Sequence, residues 1–165
     1  MIAKNNQGAQ MEEKHITTFK QSIVHEVSRT AMFLRANGSQ MFDACNFDLT
    51  VEQYAVLDAV CNSEHLCQRD LSKVLMKDRS NISRILSILE EKGLLVRKTE
   101  MKGKSPVKKV YITQAGTDCV NKIFPILKEK YLEQIAPMKE EEIEMLKVLL
   151  KKLRECLKQN TVIQI

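Results

Sequence analysis

The sequence predicts a mainly α-helical fold carrying one β-hairpin, and three observations carry that prediction. Apolar residues recur in steps of three and four along most of the 165 residues. Five glycines, three prolines and an aromatic fraction of 5% without tryptophan disfavour a turn-rich β-sandwich, a collagen-like chain or a disordered tail. The helical period is broken once, at 94–113, by β-branched residues on either side of a Gly- and Pro-containing tip. A hydrophobic fraction of 44% and a charged fraction of 28% suit one domain with a proper core, placed here at residues 11–160. Mean hydropathy is −0.27 and no apolar run approaches the roughly 18 residues of a membrane span. Met1 to Gln10 is polar and lacks the apolar stretch of a signal peptide, so the expectation is a soluble, cytoplasmic protein.

From Met11 to about Ala36, Ile16, Phe19, Ile23, Val27, Ala31 and Leu34 form one helical stripe, with Asn37-Gly38 read as its stop. Such a helix is about 39 Å long, more than a compact domain of this size needs, which points to a partner. Thr50-Val51-Glu52-Gln53 reads as a capping box opening a second helix whose apolar face is Tyr54, Leu57, Val60 and Cys61. A third helix, about Gln68 to Met76, is expected to bury Leu71, Val74 and Leu75.

The fourth helix, about Arg79 to Lys92, has Ile82, Ile85, Leu86 and Leu89 at i, i+3, i+4 and i+7. Asp78 is its N-cap and Gly93 its C′ residue. Its other face carries Ser80, Asn81, Ser83, Arg84 and Ser87. That face is short-chained and hydrogen-bonding where a merely soluble helix shows Glu and Lys.

Leu94 to Glu100 and Val107 to Thr113 then read as two strands around the tip Met101 to Pro106. Thr113 opens a long helix through Cys119, Val120, Ile123, Phe124, Leu127 and Tyr131, in which Pro125 marks either a kink or a junction of two helices. After Pro137 a last helix places Ile143, Leu146, Leu150, Leu153 and Leu157 on one stripe. Its first turn is acidic and its last turns basic, as the helix dipole favours. Both terminal regions, 11–36 and 114–160, are thus long amphipathic helices, a pattern consistent with pairing between subunits.

Charge is unevenly placed. The chain nets +5, with a pI near 8.9. Six bases (Arg97, Lys98, Lys102, Lys104, Lys108, Lys109) stand against Glu100 alone in one short segment, leaving 20 charges of each sign elsewhere. A single basic hairpin on a balanced chain points to a polyanion. The plain alternative is a solvated basic loop.

Two helices joined by a short turn (66–93) and followed by a basic hairpin (94–113) make a winged helix-turn-helix. The run from Leu66-Cys67-Gln68-Arg69-Asp70-Leu71 through Ser80-Asn81-Ile82-Ser83-Arg84 to Lys92-Gly93-Leu94-Leu95-Val96-Arg97 resembles the MarR family of bacterial transcriptional regulators. Val110-Tyr111-Ile112-Thr113-Gln114-Ala115-Gly116 is similar to that family's strand-to-helix junction. Met138 to Leu153 resembles its last dimerisation helix. The resemblance covers roughly Met11 to Asn160 and rests on the order and spacing of these motifs together. It implies a homodimer that binds pseudo-palindromic double-stranded DNA and regulates transcription, as a repressor, with an oxidant or a small-molecule effector changing its affinity. The wing departs from the family's Asp-x-Arg tip: Lys102-Gly103-Lys104-Ser105-Pro106 suits phosphate contact by lysine rather than groove insertion by arginine.

Arg84 is the candidate base reader, since a guanidinium bonds guanine O6 and N7 together. The plain alternative is a surface ion pair with Asp78 or Glu90. Ser80, Asn81, Ser83, Arg69, Lys73, Lys102 and Lys104 complete the expected DNA contacts. Five cysteines, odd in number and without C-x-x-C spacing, give no disulfide framework. Cys67 falls at the N-cap of the first helix of the helix-turn-helix, where the helix end and Arg69 would favour a thiolate, so Cys67 and, second to it, Cys45 are candidate redox sensors. The peroxide-sensing branch of the resembled family has its cysteine early in the first helix, whereas no cysteine precedes Cys45 here. Cys61, His65 and Cys67 lack a fourth ligand for structural zinc, and no phosphate loop, catalytic triad or His-x-Glu pattern is present. No cofactor and no enzymatic activity are expected. The alternative function is a winged-helix protein–protein module that binds an acidic partner through the same hairpin.

Overall fold

The computed structural model describes residues 18–63, 66–102 and 105–160. After a 3₁₀ turn, Phe19–Gln21, come α1 (Ile23–Ala44), α2 (Val51–Cys61), α3 (Gln68–Leu75), α4 (Arg79–Glu91), β1 (Leu95–Lys102), β2 (Ser105–Ile112), α5 (Gln114–Ile135) and α6 (Glu140–Asn160). The fold is the expected winged helix-turn-helix: six helices and one antiparallel hairpin among the described residues. The chain divides into two compact units with the boundary between Val51 and Glu52.

In the first unit, Ser22 caps α1 by accepting the His25 N–H at 3.2 Å. The expected stop at Asn37-Gly38 is overturned: α1 runs through both residues to Ala44. An internal glycine costs about 1 kcal/mol against alanine, too little to end a helix that a stronger signal ends later. That signal is a Schellman motif. Asn46 takes the left-handed conformation at φ 51°, the Phe47 N–H reaches the Phe42 carbonyl at 3.1 Å, and the two rings meet edge to face at 5.2 Å. Residues 11–17 of the expected first helix lie outside the described residues. Phe19 falls in the 3₁₀ turn, exposed.

In the second unit, the apolar side chains with no exposure come from α2 (Val56, Leu57), α3 (Leu71), α4 (Ile82, Leu86, Leu89) and the start of β1 (Leu95). Each such burial is worth about 1.5–3 kcal/mol, more than any surface ion pair, so this core decides the fold. α3 packs on α4, α4 on β1, and α3 on β2. Val74 corrects the sequence reading. It is exposed, and Ser72 is buried in its place with its hydroxyl donating to the Gln68 carbonyl at 3.0 Å. At 100° per residue, Leu71, Ser72 and Leu75 share the inward arc and Val74 turns away from it.

The hairpin is longer than expected, with its ladder extending from Leu95↔Ile112 to Lys102↔Ser105. Gly103 and Lys104 lie between its ends, outside the described residues. A third, minimal strand joins its far edge: Cys67 bridges to Lys109, and the Val110 N–H donates to the Leu66 carbonyl at 2.9 Å. Because Val110 points its N–H away from β1, so does every second residue, including position 106. The missing N–H of Pro106 therefore costs no β1–β2 bond. Pro125 sits inside a single helix, α5, not between two.

Candidate nucleic-acid interface

α4 forms where the sequence places it because both ends are closed locally. The Asp78 carboxylate accepts the Asn81 N–H at 2.8 Å, and Gly93, at φ 70°, ends the helix with the Leu94 N–H returning to the Leu89 carbonyl at 2.9 Å. Ile82, Ile85, Leu86 and Leu89 are all buried. The outward arc is therefore Ser80, Arg84 and Glu91, with Ser83, Ser87 and Ile88 half-buried beside it. Asn81 is half-buried too, and its Oδ1 is enclosed without a hydrogen-bond partner.

Arg84 is exposed and makes no ion pair among the described residues. Its two expected surface partners are engaged elsewhere: Asp78 caps the helix and Glu90 binds Arg97. On α3, Arg69 and Lys73 are both exposed, four residues apart and hence on one face. Gln68 joins the two helices, its Nε2 donating to the Arg79 carbonyl at 2.7 Å. The turn between them holds Met76 in the left-handed conformation at φ 50°, and Lys77 pairs with Glu52 of α2.

Not all of the hairpin's positive charge is free. Arg97 is committed to α4: its Nε and Nη2 reach Glu90 Oε2 at 2.8 and 2.5 Å, and Nη2 also donates to Ser87 Oγ at 3.2 Å. Ser87, expected on the open face, is thus part of this brace. Lys109 pairs with Glu100 at 3.1 Å, and Lys98 lies over the Tyr111 ring at 5.5 Å. Lys98 and Lys108 remain exposed on the strands. Lys102 ends β1 beside the tip, and Lys104 lies outside the described residues. The brace also acts on charge: hydrogen bonds from the Arg97 side chain and N–H hold the Glu90 carboxyl below the ordinary carboxylate range. Its stabilisation is present above that range and is lost as pH falls through the lowered value.

Sequence reasoning missed the lock at the other end of the hairpin. Thr113 caps α5 by accepting the Gly116 N–H at 3.1 Å, while its hydroxyl donates to the Gly93 carbonyl at 2.7 Å and its N–H to the Leu94 carbonyl at 3.1 Å. The resemblance in the Val110–Gly116 junction was the signal, and the close approach of Gly116 to Leu94 is its physical content.

Cys67 is the N-cap of α3 and half-buried, as expected for its position. Its neighbour is not the expected cation alone: the thiol donates to Asp70 Oδ2 at 2.8 Å, and the Cys67 N–H reaches the same oxygen at 3.1 Å. These two bonds hold the Asp70 carboxyl below its usual range. Cys45, the other candidate sensor, is the half-buried C-cap of α1 in the first unit. His65, weighed with Cys61 and Cys67 for zinc, lies outside the described residues.

Residues 47–104 match the family model described as MarR family. Over that segment the chain is similar to the MarR family. An HTH-type transcriptional regulator of Bacillus cereus (strain ATCC 10987) is 29% identical over 112 residues, spanning 66% of this chain and 72% of that one. A Bacillus anthracis HTH-type regulator is 32% identical over 79 residues, about half of either chain. Among solved structures, the MarR/EmrR family regulator of Acinetobacter sp. ADP1 superposes with a TM-score of 0.77 at 19% identity, covering 86% of this chain and 99% of its own. MepR of Staphylococcus aureus, solved in complex with DNA, gives 0.71 at 23% identity, covering 85% and 99%. At these identities the two structures establish the shared MarR fold. The chain carries the winged helix-turn-helix fold of these regulators, and its helix-turn-helix segment is similar to MarR-family and HTH-type transcriptional regulators. None of its described helices is long and apolar enough to cross a membrane.

Proposed function

We propose that this chain is a DNA-binding transcriptional regulator of the MarR family, a cytoplasmic homodimer that binds a pseudo-palindromic operator and represses transcription, released or tightened by an oxidant or a small ligand. The observation that carries this reading is Arg84, exposed on the outward arc of α4 with no ion partner among the described residues. In the major groove its guanidinium reads guanine, and Ser80, Asn81 and Ser83 serve base edges or phosphates near the helix start. Arg69 and Lys73 hold the backbone from α3, and Lys102 and Lys104 hold it from the wing. A dimer lying across a promoter excludes other proteins from it, which makes repression the simplest action.

The test compares two variants on operator and random duplex. Arg84→Ala costs about 1–3 kcal/mol on the operator and little on random DNA. Lys102→Ala with Lys104→Ala weakens both duplexes alike, and each lost phosphate contact lowers the slope of log affinity against log salt by about 0.9. Equal losses from Arg84→Ala on both duplexes remove it from base reading. Binding to an acidic protein without a footprint of two related half-sites favours the protein–protein alternative.

For the oxidant arm, Cys67 is the sensor proposed first. Peroxide converts the thiol to a sulfenic acid with release of water, which removes the S–H donor and sets a new oxygen against Asp70 at the start of α3. Operator affinity then falls reversibly, with reductant restoring it, whereas Cys67→Ser keeps a capping hydroxyl and binds without the response. If wild type, Cys67→Ser and Cys45→Ser all respond alike, neither thiol is the sensor and the signal is a small ligand.

A further inference from the structure

The basic segment contains one acid, Glu100, and the hairpin register puts it beside both Lys98 and Lys109. Side chains at 96, 98 and 100 share a face with those at 107, 109 and 111. Lys98 is directly opposite Lys109, a like-charge pair that destabilises a ladder unless something stands between. Glu100 follows Lys98 on the same face and is the diagonal neighbour of Lys109 because its direct partner is Val107. It uses both carboxylate oxygens. Oε2 takes Lys109 Nζ at 3.1 Å and Oε1 accepts the Tyr111 hydroxyl. The pair is only partly covered, with side-chain exposures of 42% for Glu100 and 26% for Lys109.

We infer that Glu100 limits the affinity of the wing for nucleic acid by holding Lys109 as an internal counter-ion, so that this lysine makes no phosphate contact while the carboxylate is in place. The inference rests on the reading of the hairpin as a DNA contact. The acid serves two ends at once. It relieves the Lys98–Lys109 repulsion that would splay the strands, and it caps the sequence-independent attraction that would trap a regulator on random DNA. Sequence discrimination by α4 gains from that restraint, because the charge term is common to operator and competitor alike.

Glu100→Gln tests this while keeping an oxygen for the Tyr111 hydroxyl. It raises affinity for operator and random duplex together and steepens the salt slope by about 0.9, one added phosphate contact. Between 50 and 200 mM salt the variant therefore loses affinity by a factor about 3.5 larger than wild type does. Lys109→Gln alone leaves the wild-type slope unchanged, and added to Glu100→Gln it returns the slope to the wild-type value. An unchanged slope in Glu100→Gln, or a lowered slope in Lys109→Gln alone, overturns the inference. The Lys102→Ala, Lys104→Ala double variant separates the two levels. If it lowers the slope while Glu100→Gln does nothing, only the role of Glu100 fails; if it too does nothing, the wing does not touch DNA and both readings fail.

Discussion

Gly116→Ala lowers the melting temperature by about 4–8 °C and removes operator binding in step with the loss of folded protein. A Cβ at this position falls 2.1 Å from the Leu94 carbonyl oxygen, 2.7 Å from Ile112 Cγ1 and 3.1 Å from the Leu94 carbonyl carbon. The first contact is with backbone, which cannot swing aside as a side-chain tip does. That oxygen also accepts the Thr113 N–H, so moving it breaks a bond at the same junction. Alanine is the better helix former by about 1 kcal/mol, which opposes the clash. Overpacking against fixed atoms costs about 3 kcal/mol, so the clash wins and the net loss is about 2 kcal/mol. The affected contacts bind the end of α4 to the start of α5 across the hairpin, and so the loss reaches both elements proposed to meet DNA. Thermal unfolding of the two proteins decides it. A Gly116→Ala protein that melts at or above the wild-type temperature means the junction is looser than its geometry.

Ending the chain before Lys139 gives monomer or aggregate and abolishes operator binding. Among the described residues the stripe of α6 is incompletely covered: Leu146 and Leu157 are exposed, and Ile143, Leu150 and Leu153 are only half-buried. α1 repeats the pattern, with Met32, Phe33 and Leu34 exposed in succession. Apolar area on this scale calls for a second copy, and a two-fold pair then sets half-sites about one helical turn, about 10 bp, apart. A monomer keeps one reading helix and loses the linked second contact, which is worth about 10²–10⁴ in affinity. Sedimentation of the full and shortened chains is the measurement. A shortened chain that sediments as a dimer refutes the assignment of α6 to the interface.

The helix-turn-helix was legible in the sequence to an unusual degree. α4, its four core residues, its Asp78 cap and its Gly93 stop lie where the periodicity and capping residues put them, as do Thr113 at the start of α5 and Cys67 at the start of α3. Each of these signals acts within about four residues, where hydrogen bonds and side-chain spacing depend on the local chain alone. The same locality explains the error at Asn37-Gly38. A glycine is a permissive stop, and it yields to the cooperative Phe42–Asn46–Phe47 ending.

The order of elements, their caps and most of the core face of each thus follow from short stretches of chain. The tertiary structure alone decided which charges are spent. Arg97 counted as free until β1 was laid against α4 and brought it to Glu90 and Ser87; Lys109 counted as free until the ladder set it diagonal to Glu100. Burial of Ser72 instead of Val74, and the extra edge pairing of Cys67 with Lys109, were decided in the same way. The physical reason is range. A cap or a helical stripe is closed by neighbours in the chain, whereas an ion pair and a strand edge take their partners from packing and register, which no window of a few residues contains.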